Sequence, residues 1–475
     1  MPQNEGVASS ASNMLLASCV LAPCMCSAAM LSLLPAPHVK LSCGAESPDC
    51  SHASSAPPCV ATNLWFPRGR AGAVRGGAML KSDDQTATTV RVGKSAAAQA
   101  ATISAGVELV PLGQEQRWFL DVEPGVYRER VWINVSIGPL TMRGLSATED
   151  GVLLIYHCCP GGDGTPGCSN PGVDKTCAPQ HTNATWMGRD VETLLVEASD
   201  FVLLNMSVAN DACGYDARRA GQSEAVSLLA DQITVRDSRI YGAQDTLYTG
   251  GGNLRSFFHS TFINGSCDSI YGYSTSVFDS CTITVVDHVT AHGGWCCGGS
   301  RCPDTDPRDR PNQTSCGIDG RAADGSYPYY LFINSSLMKP DAQEFDHKTS
   351  APETELGRGW GTNAHVIYKD SYLDSHIAPH GWGCLMHATK VECSACARFG
   401  SACANTSECY CQNTTFAEYR SRGPGAAPDK RVAWSRQLTE HQAAAYTAQA
   451  ALRGWAPPIG GVISSGSGAA PRTDT

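Results

Sequence analysis

Between residues 233 and 283, apolar and polar positions alternate in a unit that keeps returning. It reads Ile233-Thr234-Val235-Arg236-Asp237-Ser238-Arg239-Ile240, then Ser256-Phe257-Phe258-His259-Ser260-Thr261-Phe262-Ile263, then Ser276-Val277-Phe278-Asp279-Ser280-Cys281-Thr282-Ile283. Each unit is a β-branched or aromatic run, a small polar residue and a second apolar alternation, the period of a half-buried strand. With the recurring serine as marker, the spacings are 260 − 238 = 22 and 280 − 260 = 20 residues. Similar units return at Leu331–Leu337 and Val366–Leu373, and polar, Gly-rich inserts fill the longer gaps. A period near twenty with two or three short strands per unit predicts a solenoid of stacked coils. Leucine-rich repeats share the period, but these units lack their leucine spacing and carry no helical segment. The expected fold is therefore all-β: a right-handed parallel β-helix with Cys-rich loop inserts and a C-terminal helix. That helix is expected over Glu440 to Arg453, capped by Thr439 and ended by Gly454, Pro457 and Pro458.

Two strings about one coil apart carry the candidate chemistry: Gln244-Asp245-Thr246-Leu247-Tyr248 and Asp268-Ser269-Ile270-Tyr271-Gly272. Asp245 lies 245 − 238 = 7 residues past its marker and Asp268 lies 268 − 260 = 8 past its own, so both fall just after equivalent strands on adjacent coils. Equivalent residues on successive coils are one strand spacing apart, roughly 5 Å. Two carboxyl groups that close cannot both ionise freely, so one is driven to keep its proton and the other to lose it. Such a pair supplies an acid and a nucleophile. Aspartates also end strands in turns, and spacing alone leaves both readings open.

Further strings extend the pattern: Glu123-Pro124-Gly125-Val126-Tyr127-Arg128-Glu129, Glu224-Ala225-Val226-Ser227-Leu228, Thr290-Ala291-His292-Gly293 and Leu356-Gly357-Arg358-Gly359-Trp360. After them come His376-Ile377-Ala378-Pro379-His380-Gly381-Trp382, Ala417-Glu418-Tyr419 with Gly423-Pro424-Gly425-Ala426, and Arg431-Val432-Ala433-Trp434. In this order they resemble the plant-type catalytic domain of the pectin methylesterases (pectinesterases), from about Val90 to Trp455. The resemblance implies that Asp268 attacks the C6 methyl ester of a galacturonate unit, while a protonated Asp245 serves the departing methanol and then activates water. It gives Gln244 the oxyanion and pairs Arg358 with Asp268. Glu224, Tyr248, Tyr271, Arg358, Trp360 and Trp382 become the substrate-binding set, the aromatics lining the cleft and stacking on sugar faces. For aromatics on a β-helix the competing explanation is burial in the core. The chemistry requires no metal and no other cofactor.

The chain departs from the family strings at several points. Glu224 stands where a glutamine usually opens Gln-Ala-Val-Ala, and Gln222 lies two residues earlier. An ionised glutamate beside a developing oxyanion opposes catalysis, and loss of one such donor typically costs about 10²–10³ in rate. A protonated Glu224 and a register shift that brings in Gln222 both remain open. So does a second function, a catalytically inactive pectin-binding cell-wall protein. Ser269 and Tyr271 replace phenylalanines, and Gly359 replaces a proline. A polysaccharide lyase on the same architecture would need calcium, and no acidic calcium cluster stands in the sequence.

Composition sets the frame around this. The 475 residues divide into a low-complexity or signal region over 1–89, a pectinesterase-like β-helix over 90–456 and a Gly/Ser/Pro tail over 457–475 expected to be disordered. No Asp, Glu, Lys or Arg occurs from Gly6 to Val39. Met14 to Ala36 reads as a secretory signal or a misplaced start, with a membrane anchor as the rival weakened by Pro23 and Pro35. Of 23 cysteines, 17 follow Val90 and 14 of these crowd into inserts around 158–177, 296–316 and 384–411. They read as disulfides of an oxidising compartment, with zinc at Cys393-x-x-Cys396 and Cys409-x-Cys411 as the rival. The odd number leaves a free thiol, with Cys267 the candidate. Sequons at Asn134, Asn183, Asn205, Asn264, Asn312, Asn334, Asn405 and Asn413 fit export and glycosylation. The net charge of −10 argues against nucleic acid. The expected partners are methyl-esterified homogalacturonan and a proteinaceous pectinesterase inhibitor. The expected form is a secreted cell-wall monomer with no stable membrane span.

Overall fold

From Asn205 onward, seven described coils of the solenoid turn on one residue with left-handed backbone. Asn205, Asp237, Ser260, Ser280, Asn334, Asp370 and Arg420 have φ between 48° and 56° at the end of one strand and the start of the next. This conformation costs a non-glycine residue roughly 1–2 kcal/mol. Local hydrogen bonds offset it, as where Asn205 Nδ2 donates to the carbonyls of Gly144 (2.9 Å) and Ser146 (2.8 Å). One residue further on, Ser238, Thr261, Cys281, Ser335 and Ser371 form a buried column of small side chains.

The computed structural model describes residues 88–157, 191–211, 223–251, 253–265, 268–285, 291–293, 328–339, 354–359, 364–383 and 415–458. All lie in one unit, Phe66–Thr475. The expectations for residues 1–87, Gln222, Cys267, Trp360, the three cysteine inserts and the tail from residue 459 fall outside the described residues.

Among the described residues three parallel sheets, of eleven, eight and eight strands, run the length of a parallel β-helix. The register corrects the sequence marker. Arg236 pairs with His259 and His259 with Asp279, so Asp237, Ser260 and Ser280 are equivalent and Ser238 lies one place beyond. The repeats are then 260 − 237 = 23 and 280 − 260 = 20.

Parallel in-register strands bring like side chains together inside the coils. Phe258, Phe278, Phe332 and Tyr368 form a column of near-parallel rings with centroids 4.5, 4.6 and 4.4 Å apart. Cys281, beside this column, is a free buried thiol whose burial pushes its ionisation far above the usual range. Two sequon asparagines serve the fold: Asn205 as above, and Asn264, which is buried and donates to Thr284 Oγ1 at 2.8 Å.

Helical structure departs from expectation at both ends. A helix over Ile103–Glu108 was not evident from the apolar pattern. Thr102 caps it and the Glu129 carboxylate accepts from the amides of Ile103 (2.7 Å) and Ser104 (2.9 Å). The C-terminal helix is two short ones, Glu440–Ala443 and Ala448–Ala451. Thr439 forms the expected cap, a capping box with Gln442. Lys369 Nζ then donates to the carbonyls of Ala443 and Tyr446, each at 3.1 Å, and Thr447 caps a fresh start. Ala451 and Leu452 of this segment cover Phe257, Val277, Leu331 and Ile367 on the outside of the eleven-stranded sheet. No helix among the described residues is long and apolar enough to cross a membrane.

Candidate active site

The site forms along the eight-stranded sheet that contains Val226–Leu228, Leu247–Thr249, Ile270–Gly272 and Gly357–Gly359. Leu247 pairs with Ile270, and Asp245 and Asp268 each stand two residues ahead of that pair, 247 − 245 = 2 and 270 − 268 = 2. The Leu247 amide donates to the Ser269 carbonyl at 2.9 Å, which carries the register into the turn. With the corrected marker the aspartates lie 245 − 237 = 8 and 268 − 260 = 8 residues along their coils. They are exact counterparts, both buried, with φ of 61° and 52°.

The turn before Leu247 is held by its own polar side chains. Ser223 Oγ accepts from the Ala243 amide and Thr246 Oγ1 donates to the Ala243 carbonyl, both at 2.8 Å. Gly265 gives the room: a Cβ there would stand 2.4 Å from Thr246 Oγ1 and 2.5 Å from Ser269 Cβ. Half-buried Gln244 lies in this turn directly before Asp245, its carbonyl accepting from the Ser223 amide at 2.9 Å.

Arg358 reaches Asp268 from further along the sheet. Its Nε donates to Asp268 Oδ1 at 3.0 Å and its Nη2 to Oδ2, a two-pronged contact that orients the carboxylate and favours its ionised form. The pair is largely buried, with side-chain exposures of 14% and 3%. Removal of either partner therefore leaves a charge with little access to water.

Glu224 belongs to the same column. Val226 pairs with Leu247, and the bonds from Ser223 to Gln244 and from the Ala225 amide to the Thr246 carbonyl (2.8 Å) bracket it opposite Asp245. Its carboxyl is buried and accepts from Ser227 Oγ and, at 2.9 Å, from the Tyr271 hydroxyl. Glutamate, Asp245 and Asp268 thus occupy one position on three successive coils.

The aromatic expectations divide. Tyr271 is half-buried and its ring lies 4.8 Å from that of Tyr248. Tyr248 itself is only 2% exposed, packed with Leu195 and Leu229 beneath its neighbours rather than lining a cleft. Trp382 is a correction. It is 1% exposed in the coil interior, stacked on Phe416 at 5.0 Å and tilted against Tyr368 at 5.9 Å, so it presents no face to a sugar. Three residues went unnoticed in the sequence: Ser227, Tyr273 and Trp132. Tyr273 and Trp132 border the Tyr248 cluster, and Trp132 Nε1 donates to Glu197 Oε2 at 2.7 Å. Trp132 and Ser227 are the middle residues of strands in this sheet, a signal that emerges only once the register is known.

Residues 169–298 match the family model described as Pectinesterase. Putative pectinesterase 11 of Arabidopsis thaliana is 25% identical over 381 residues, covering 79% of this chain and 83% of that protein. These matches support the pectinesterase family for this chain. The solved pectin methylesterase from carrot shares the fold, with a TM-score of 0.53 and 18% identity over 77% of this chain and 93% of that one. A pectin methylesterase solved in complex with a hexasaccharide matches with a TM-score of 0.51 and 20% identity over 78% of this chain and 98% of that one. Glu224, Gln244, Asp245 and Asp268 fall within the pectinesterase match, and Arg358 lies beyond its end.

Proposed function

We propose that this chain hydrolyses the methyl esters of homogalacturonan, releasing methanol and pectate, through a covalent intermediate on Asp268. A carboxylate oxygen of Asp268 adds to the C6 carbonyl carbon, and the amide of Gln244 meets the oxyanion that forms. As the bond to the methoxy oxygen breaks, Asp245 gives its proton to the departing methanol. Water then adds to the acyl carbon and yields a proton to Asp245, and the bond to Asp268 breaks. The acid product leaves and both aspartates return to their starting states.

The observation that supports this reading best is the in-register pair of buried carboxyl groups, one of which is gripped by Arg358. That asymmetry gives the two groups opposite protonation, as an acid and a nucleophile require. Asp268→Asn is expected to lower methanol release from esterified pectin by at least about 10⁴-fold, with circular dichroism unchanged. Near-normal turnover in that variant would remove Asp268 from the mechanism. The catalytic unit proposed is the 90–456 segment acting as a secreted monomer on cell-wall pectin. N-terminal sequencing of protein recovered from the medium tests export.

A second reading, a pectin-binding protein without turnover, draws on Glu224. Its two carboxyl oxygens accept from Ser227 and Tyr271 at the place where the family strings have a glutamine. A parent that releases no methanol, made active by Glu224→Gln, would favour it.

A further inference from the structure

We infer that Glu224 is a positioning residue for the ester hydrolysis, an anionic third carboxylate that keeps the proton on Asp245. This rests on the reading of Asp245 as the general acid. Three departures from the family strings, Glu224 for glutamine, Ser227 for alanine and Tyr271 for phenylalanine, are far apart in sequence yet form one hydrogen-bonded cluster. Ser227 lies three residues after Glu224, on the strand that Glu224 leads into, whereas Tyr271 stands two coils away and reaches back past Tyr248, with which it pairs in register.

The chemistry of the cluster follows from who donates. Both hydroxyls give their protons to the glutamate oxygens, an arrangement that favours the charged carboxylate. A bare glutamate in place of an oxyanion donor would point its charge at the reacting carbonyl. Here both oxygens are engaged by neutral hydroxyls, which stabilise the charge without cancelling it.

The column then determines what that charge acts upon. Asp245 has Glu224 one coil to one side and Asp268 one coil to the other, each about one strand spacing away. Asp268 is ion-paired with Arg358, which tempers its effect on Asp245. Beyond Glu224 the same position is Glu192, because Leu194 pairs with Val226, and Arg130 approaches Glu192 at 3.6 Å. The phenols of Tyr248, Tyr271 and Tyr273 lie beside the column. A carboxyl group between two carboxylates holds its proton to higher pH than one with a single such neighbour. The family glutamine would supply no such charge; this chain gains a longer alkaline range for its general acid.

The test is the pH dependence of kcat for methanol release from esterified pectin, measured on the full chain. In Glu224→Gln the alkaline limb is expected to move about one pH unit toward acid. Tyr271→Phe, which removes a donor from the glutamate, should move it the same way by less. Glu224→Asp, which keeps the charge, should restore most of the parental limb. An active parent whose limb stays in place in Glu224→Gln overturns the inference alone. So does a Glu224→Gln variant faster than the parent at every pH, since the glutamate would then merely hinder the oxyanion. A parent silent at every pH overturns the catalytic reading itself, and this inference with it.

Discussion

Asp245 and Asp268 are the same residue of two successive coils, each two positions ahead of paired strands and each with left-handed backbone. Stacking, rather than any local motif, creates the pair. What distinguishes the two is the next layer: Asp268 meets the guanidinium of Arg358, and Asp245 faces Glu224 across the opposite coil boundary.

Arg358→Lys should retain charge but lose the two-pronged grip on Asp268. We expect kcat to fall by about tenfold to a hundredfold with a small loss of stability. Arg358→Ala, which strands a buried carboxylate, is expected to cost about 3–5 kcal/mol in urea unfolding. An Arg358→Lys variant with parental kcat and stability would show that the fork geometry is unimportant.

Trp382→Ala tests the interior placement of that ring. A core tryptophan replaced by alanine is expected to lose about 3–5 kcal/mol of stability. The KM for pectin of the folded fraction should stay within about twofold of the parent. A raised KM at parental stability would return Trp382 to the cleft.

Glu123 gives a stability that disappears in acid. Hydrogen bonds from Ser95, foremost its hydroxyl, and from Arg91 and the Lys94 amide lower its carboxyl from 4.5 to about 2. A depressed carboxylate stabilises the fold above pH 4.5, and the contribution fades as pH falls through about 2. Glu123→Gln should therefore lower the urea midpoint at pH 7 and converge on the parent near pH 2. A deficit that is constant with pH would mean that charge is not involved.

His376 acts in the same direction from another cause. Burial lowers its imidazole from 6.5 to about 4, and neither ring nitrogen has a hydrogen-bond partner among the described residues. The folded chain holds the ring neutral while the unfolded chain takes up a proton. Stability is thus complete above pH 6.5 and is lost toward pH 4, by about 3 kcal/mol at the lower end. His376→Leu should flatten that slope between pH 7 and 4; an unchanged slope would exclude this residue as its source.

The period of the apolar units was enough to foresee coils, because strand alternation and repeat length are local properties of the chain. It was not enough to align them exactly. Ser238 looks like Ser260 and Ser280, yet Asp237 occupies their place, since aspartate tolerates left-handed backbone as readily as serine does. The unequal offsets of 7 and 8 for the two aspartates came from that single slip. The C-terminal helix was misjudged for a different reason: Lys369, on a distant strand, binds the carbonyls where the alanine-rich run breaks.

Sequence by itself determined the β-solenoid and the two aspartate strings, while only resemblance to a known family singled out Arg358 and Glu224. The solenoid and the strings depend on residue identity and on a repeat that any reader of the chain can measure. Only the tertiary structure decided that Trp382 faces inward, that Ser227 and Tyr271 converge on Glu224 and that four carboxyl groups, of Glu192, Glu224, Asp245 and Asp268, share one column. The physical reason is that a stacked coil makes neighbours of residues twenty or more positions apart, and which atoms then meet depends on a register that local pattern constrains only to within one residue.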